Sequence, residues 1–186
     1  KQGFPGDLEQ RIRYTLTDNN ELIIDYRMAT NETTVVNPTN HTYFNLNGQD
    51  GGDILQHRLE IYANSFLEID EDFIPTGNIL NVENTPMDFR TKKIIGKQID
   101  YSDIQISRAK GYDHNYVFTN DGKLKKMAKL YCDESGITMT VYSDLCGMQL
   151  YTGNFFVFVV GKGGITYEEN AGVCFETHYY PNACNE

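Results

Sequence analysis

Apolar and polar residues alternate with a period of two along much of this chain. Gly, Asn and Asp interrupt the alternation every few residues, a pattern that excludes a helical protein. Leu8, Ile12, Tyr14 and Leu16 alternate with Glu9, Arg11, Arg13 and Thr15, with Gln10 as the one break. Leu22, Ile24, Tyr26 and Met28 alternate with Glu21, Ile23, Asp25 and Arg27. Between them Thr17-Asp18-Asn19-Asn20 reads as a turn, because Asp and Asn tolerate left-handed backbone and hydrogen-bond to their own main chain. The pair predicts a half-buried antiparallel hairpin.

Downstream, strands are expected over 59–63, 65–69, 127–132, 137–142 and 148–151, with Asp121-Gly122 and Glu134-Ser135-Gly136 as tight turns. The segment 92–101 carries a short helical turn, and no helical periodicity persists over the roughly 12 residues that an isolated helix needs. The chain therefore reads as all-β, a sandwich or a barrel with short strands and long polar loops. With 186 residues and no repeat or linker, residues 1–186 are expected to form one domain.

Charge narrows the partners. Sixteen Lys and Arg against 26 Asp and Glu leave a net charge of −10, which repels nucleic acid and anionic lipid surfaces. The basic cluster Lys123, Lys125, Lys126 and Lys129 reads as a solvated face. The longest apolar run, Phe155 to Val160, is β-prone and uncharged, hence an aggregation hazard if exposed. It is also far short of the roughly 20 residues that span a membrane. Cys132, Cys146, Cys174 and Cys184 have no zinc-knuckle spacing and read as reduced, mostly buried thiols of a cytoplasmic protein. The N-terminal Lys1-Gln2-Gly3-Phe4-Pro5-Gly6 has no signal-peptide pattern and no initiator Met, as in a fragment or processed product. Nothing in the sequence marks an oligomeric interface.

Three segments carry more polar and aromatic residues than a connection requires: 37–48, 111–116 and 174–182. They hold three of the four histidines, His41, His114 and His178, and the carboxylates Asp113 and Glu176. That inventory suits a sugar, whose hydroxyls want carboxylate acceptors and amide or imidazole donors, and whose C–H faces pack on aromatic rings. A carboxylate and an imidazole across such a ligand support acid–base chemistry. No Gly-x-Ser-x-Gly elbow, phosphate loop or His-Glu-x-x-His helix is present, and Gly161-Lys162-Gly163-Gly164 reads as a turn.

At these segments the chain resembles the aldose 1-epimerase (galactose mutarotase) family. The resemblance rests on Asn37-Pro38-Thr39-Asn40-His41-Thr42-Tyr43-Phe44-Asn45-Leu46, Gly111-Tyr112-Asp113-His114-Asn115, Gln149-Leu150-Tyr151-Thr152-Gly153-Asn154 and Phe175-Glu176-Thr177-His178. Gly3 to Leu8, Asp70 to Gly77 and Pro86 to Arg90 also match, in order along the chain. The resemblance implies an antiparallel β-sandwich and interconversion of the α and β anomers of aldohexoses such as galactose and glucose, with no cofactor and no metal. It implies Glu176 as general base, His41 as general acid, and Asp113, Asn40, Tyr43 and Gln149 as substrate-binding residues. Glu176 is expected in a pocket among Cys174, Phe175 and Tyr179 that raises its pKa by desolvation. The resemblance also implies truncation: the family's upstream Arg and second His, and its last strands, have no counterpart here. A carbohydrate-binding fragment without catalysis is the alternative, and a glycoside hydrolase using Glu176 and Asp113 is a weaker rival.

Overall fold

The computed structural model describes residues 3–185. Its contacts form two compact units, one ending at Pro38 and the other beginning at Thr39.

The first unit is the expected hairpin. Strand β1 (Leu8–Leu16) pairs antiparallel with β2 (Leu22–Thr30), placing Leu8 opposite Thr30 and Leu16 opposite Leu22. The turn closes through Thr17 and Glu21, with Asn20 in the left-handed region at φ 61°. Half-burial is not observed: all nine residues of β1 are exposed, and in β2 only Ile24 and Tyr26 are partly covered. A two-stranded ribbon has no second layer of its own to bury either face.

Among the described residues, the second unit contains two larger antiparallel sheets and one short two-stranded ribbon. One comprises β3 (Arg58–Ile61), β6 (Lys93–Ile94), β8 (Lys125–Tyr131) and β9 (Thr138–Ser143), in the order β6-β3-β8-β9. The other comprises β4 (Ser65–Ile69), β5 (Pro75–Asn81), β7 (Asp113–Val117), β10 (Gly147–Tyr151) and β13 (Cys174–His178), in the order β13-β10-β7-β4-β5. Leu59, Ile61, Ala128 and Leu130 of the first sheet share one buried cluster with Phe66, Tyr116, Met148, Leu150 and Phe175 of the second. The architecture is that of a partial β-sandwich. The five expected strands all appear, with ends shifted by no more than two residues.

Two of the three expected loops are strands instead. Residues 113–117 form a central strand, and residues 174–178 form the edge strand β13. Asp113 and Asn115, and Cys174, Glu176 and His178, fall at alternate positions on one face, with His114, Tyr116 and Phe175 on the core face between them. A helix outside the expected segment, α1 (Ile104–Ala109), was hidden by its length of six residues. Asp103 caps it by accepting from the N–H groups of Gln105 and Ile106. Gln105 in turn binds both the N–H and the C=O of Ile69, at 2.9 and 3.0 Å, which completes the end of β4 as another strand would.

Between α1 and β7, Asn154 donates to the carbonyls of Ala109 and Tyr112 and accepts from Thr152. Gly111, at φ +138°, lies so close that a Cβ there would sit 2.5 Å from Asn154 Oδ1. The apolar run 155–160 pairs only through the two-residue β11 (Val159–Val160), with β12 (Thr166–Tyr167), and the expected glycine turn joins them. Phe155 instead stacks on Tyr151 and Phe156 on Tyr43. The basic cluster is locally engaged. Lys126 lies 4.1 Å from the Tyr62 ring centroid, and Lys125 donates to the carbonyls of Asp144 and Leu145. All four cysteines are free, with Cys184 exposed and the others buried. Among the described residues, no helix is long and apolar enough to cross a membrane.

His114 lies on the core side of β7, fully buried and edge-on to Phe66. Its Nδ1 accepts from the Asp113 N–H at 3.2 Å, and burial drives its pKa down to about 3. Between pH 3 and 6.5 the unfolded chain therefore binds a proton that the folded chain refuses, so stability falls as pH falls. From pH 6.5 to 5 His114 alone is expected to remove about 2 kcal/mol, at 1.4 kcal/mol per pH unit. Urea unfolding at the two pH values checks this: His114→Phe should reduce the loss by about that amount, leaving the share of the other buried imidazoles, His178 and His57.

Candidate functional site

The site is built on the face of the five-stranded sheet that points away from the core. In the antiparallel register Gln149 of β10 lies opposite both Asn115 of β7 and Glu176 of β13. Tyr151 likewise lies opposite Asp113 and Cys174. Side chains alternate between faces, so Asp113, Asn115, Gln149, Tyr151, Cys174, Glu176 and His178 share the outer face. His114, Tyr116, Met148, Leu150 and Phe175 share the core face. A cavity of about 230 Å³ opens over the outer face, lined by Asp113, Asn115, Gln149, Glu176 and His178, by Leu67 and Ile69 of β4, and by His41, Phe73, Pro75 and Pro181.

His41 comes from the segment that runs along the edge of β13. Thr39 Oγ1 donates to the Thr177 carbonyl at 3.1 Å, and Phe44 and Val173 exchange backbone hydrogen bonds at 2.8 and 2.9 Å. Between these anchors Asn40 Oδ1 accepts from the N–H and hydroxyl of Thr42, forming a tight Asx turn. Asn45 ties the following residues to the carbonyls of Gly52 and Ala171, and the Leu46 N–H donates to the buried His57 Nε2. The asparagines of this segment thus satisfy an irregular backbone and fix where its histidine stands.

His41 is held on both nitrogens. Nε2 lies 3.3 Å from Glu176 Oε1, and Nδ1 lies 3.4 Å from Cys174 Sγ. The Tyr43 ring packs on the imidazole with centroids 4.9 Å apart. Burial pushes the Tyr43 phenol up to about 12, so it stays protonated at neutral pH. The His41 side chain is 49% exposed and that of Glu176 is 11% exposed, so the imidazole covers the carboxylate from solvent.

Electrostatics oppose one another at Glu176. Burial raises its pKa, the charge of His41 lowers it, and Asp113 raises it again, with a net upward shift. Asp113 is also raised, chiefly by burial, against a 2.7 Å hydrogen bond from Gln149 Nε2. Burial drives His178 down to about 4 and keeps it neutral; its Nε2 faces Asn115 Nδ2 at 2.9 Å. The Asn115 and Gln149 side-chain oxygens are buried with no hydrogen-bond partner among the described residues, which leaves acceptors on the cavity floor.

Of the residues expected to act on a ligand, the structure brings together His41, Asp113, Gln149 and Glu176. Asn40 and Tyr43 do not line the cavity; Asn40 accepts from Thr42, and the Tyr43 ring packs on His41. Phe175 was expected beside Glu176 but lies on the opposite face, in the core, as alternation requires. Asn115, His178 and Leu67 are cavity residues that went unassigned. Alternation through 113–115 and 174–178 was the signal that could have found the first two. His41, Cys174 and Glu176 also present donor atoms close enough together to hold a metal ion.

Comparison with known proteins places this arrangement. The family model described as aldose 1-epimerase matches residues 1–186. Galactose mutarotase of Rattus norvegicus is 40% identical over 187 residues, covering 100% of this chain and 53% of the relative. Aldose 1-epimerase of Escherichia coli K12 is 36% identical, covering 99% of this chain and 53% of the relative. Among solved structures, a GalM/aldose epimerase homologue from C. elegans superposes with a TM-score of 0.84 at 30% identity. That match covers 97% of this chain and 53% of the other. The chain spans about half the length of the curated relatives it matches. In sequence from end to end, and in the fold of its sheets, the chain belongs to the aldose 1-epimerase family.

Proposed function

We propose that this chain carries the acid–base site of an aldose 1-epimerase. It interconverts the α and β anomers of aldohexoses such as galactose and glucose, using side chains alone. The observation that carries this reading is the His41–Glu176 contact of 3.3 Å on the wall of a polar cavity, beside the Gln149–Asp113 pair.

The two oxygens that change protonation, the C1 hydroxyl and the ring oxygen O5, are bonded to the same carbon. A base and an acid serving them have to stand side by side, and His41 and Glu176 do. Glu176 takes the C1 hydroxyl proton while protonated His41 gives one to O5. The C1–O5 bond breaks and a free aldehyde forms. Rotation about C1–C2 presents the other carbonyl face, and reversal of both transfers closes the second anomer. Each full cycle returns both protons. Burial makes Glu176 a stronger base than an exposed carboxylate, against the lowering effect of the neighbouring His41 charge. Cys174 and Tyr43 hold the imidazole so that Nε2 faces the carboxylate. Asp113 and Gln149 bind sugar hydroxyls, and the apolar wall of Leu67, Ile69 and Phe73 meets the C–H surface. The cytoplasm, where free thiols persist, is the compartment that suits the four cysteines.

Polarimetry of freshly dissolved α-D-galactose tests the reading, with circular dichroism to verify folding. The folded chain should speed the approach to equilibrium, and Glu176→Gln and His41→Asn should each slow it by roughly 10²–10⁴-fold. A folded chain without acceleration, or variants that retain it in full, would overturn the assignment. Asp113→Asn should act mainly on KM, raising it by about 10- to 100-fold while kcat changes less, because it weakens ground-state and transition-state binding alike. Initial rates across a galactose concentration series separate the two parameters.

A further inference from the structure

The acid–base pair has a neighbour that transfers no proton in the proposed reaction. Cys174 Sγ stands 3.4 Å from His41 Nδ1, and one donor atom from each of His41, Cys174 and Glu176 lies within 4.8 Å of the other two. Thiolate, imidazole and carboxylate together form the donor set of borderline divalent cations such as Zn²⁺, whereas Mg²⁺ and Ca²⁺ prefer oxygen alone. In a tetrahedral zinc site, bonds of about 2.3 Å to sulfur and about 2.0 Å to nitrogen set these two atoms about 3.5 Å apart. Cys174 and His41 already stand at that spacing. Rotation of the Glu176 carboxylate, already within 4.8 Å of the other two donors, would close the triangle. The buried thiol lies behind a half-exposed imidazole, so rotation of His41 gives an ion from solvent its way in.

We propose that His41, Cys174 and Glu176 form a binding site for Zn²⁺ and chemically similar cations, and that the bound ion switches the site off. On binding, the Cys174 S–H proton passes to solvent, a metal–sulfur bond forms, and no electron is transferred. The ion occupies an imidazole lone pair and the carboxylate together, so neither group can exchange a proton with a sugar. Metal and sugar therefore exclude one another. Metal binding stands on the donor geometry; only its effect on rate rests on the acid–base roles proposed above.

Cobalt(II) titration of the full chain, freed of metal with a chelator, tests this. A Cys184→Ser background removes the exposed thiol as a competing ligand. One equivalent of Co²⁺ should produce a thiolate-to-metal absorption in the near ultraviolet together with the intense visible bands of a four-coordinate ion. Zn²⁺ should displace it, and saturating galactose should weaken it at least tenfold. Cys174→Ser should abolish the near-ultraviolet band; if that variant does not fold, His41→Ala, at a half-exposed position, should weaken cobalt binding at least tenfold. In polarimetry Zn²⁺ should slow the parent chain and a chelator should restore it, while the ratio of rates with and without zinc should approach one in Cys174→Ser. Absence of the band in the parent chain, or its survival in Cys174→Ser, overturns the site. A cobalt spectrum from a folded chain that accelerates no sugar would refute the acid–base reading and leave the metal site standing. Acceleration without the spectrum would do the reverse.

Discussion

Strand β10 is hydrogen-bonded on both sides, to β7 and to β13, and this double pairing sets the chemistry of the site. It aligns Asn115, Gln149 and Glu176 in one row and Asp113, Tyr151 and Cys174 in the next. A slip of one residue would turn Leu150 and Phe175 into the cavity and Glu176 into the core. The penalty for a charge among Leu59, Phe66 and Tyr116 far exceeds the contribution of any single hydrogen bond, so the register is strongly specified. The apolar core and the polar cavity are two faces of one sheet and are determined together.

Within that frame, position decides what a titratable group does. His114 and His41 are both imidazoles within the second unit. One is sealed in the core beside Phe66, where charging it would destabilise the fold. The other stands half-exposed, with its Nε2 3.3 Å from the Glu176 carboxylate. Glu176 and Asp113 are both raised by burial in a chain whose net charge is −10, and Asp113 raises Glu176 further. Among the described residues, the cavity lining holds the two carboxylates Asp113 and Glu176 and no Lys or Arg. Gly147 contributes by what it lacks. A Cβ there would stand 2.8 Å from both Asn115 Oδ1 and the His178 carbonyl, so only glycine lets the amide and imidazole meet across β10.

Much of this was legible in the residues. The strands at 65–69 and 148–151 and the β1–β2 hairpin follow from alternation and turn chemistry, and His41, Asp113, Gln149 and Glu176 were singled out before any geometry was known. The family motif implies Asn40 and Tyr43 as ligand-binding residues; in the structure they stand beside the cavity lining, with the Tyr43 ring against His41. A motif identifies which residues belong together but not which of them faces the ligand. Helix α1 escaped because six residues carry too little periodicity, and its stability comes from Asp103 and from Gln105 gripping β4. Segments 113–117 and 174–178 looked like loops because polar residues dominate them, although every second residue was already a core residue.

By itself, the sequence determined that the chain is built of antiparallel strands, and which residues of each strand share a face. Those are local properties, set by a side-chain period of two and by the turns that Asn, Asp and Gly permit. Which face is covered was decided only by tertiary structure. The alternation of β1 is as regular as that of β10, yet β1 is exposed along its whole length while β10 buries Met148 and Leu150. Burial requires a second layer, and the meeting of His41 with Cys174 and Glu176 requires a segment 133 residues away in the chain to run along the edge of β13. Contacts of that range are set by packing and not by any local pattern.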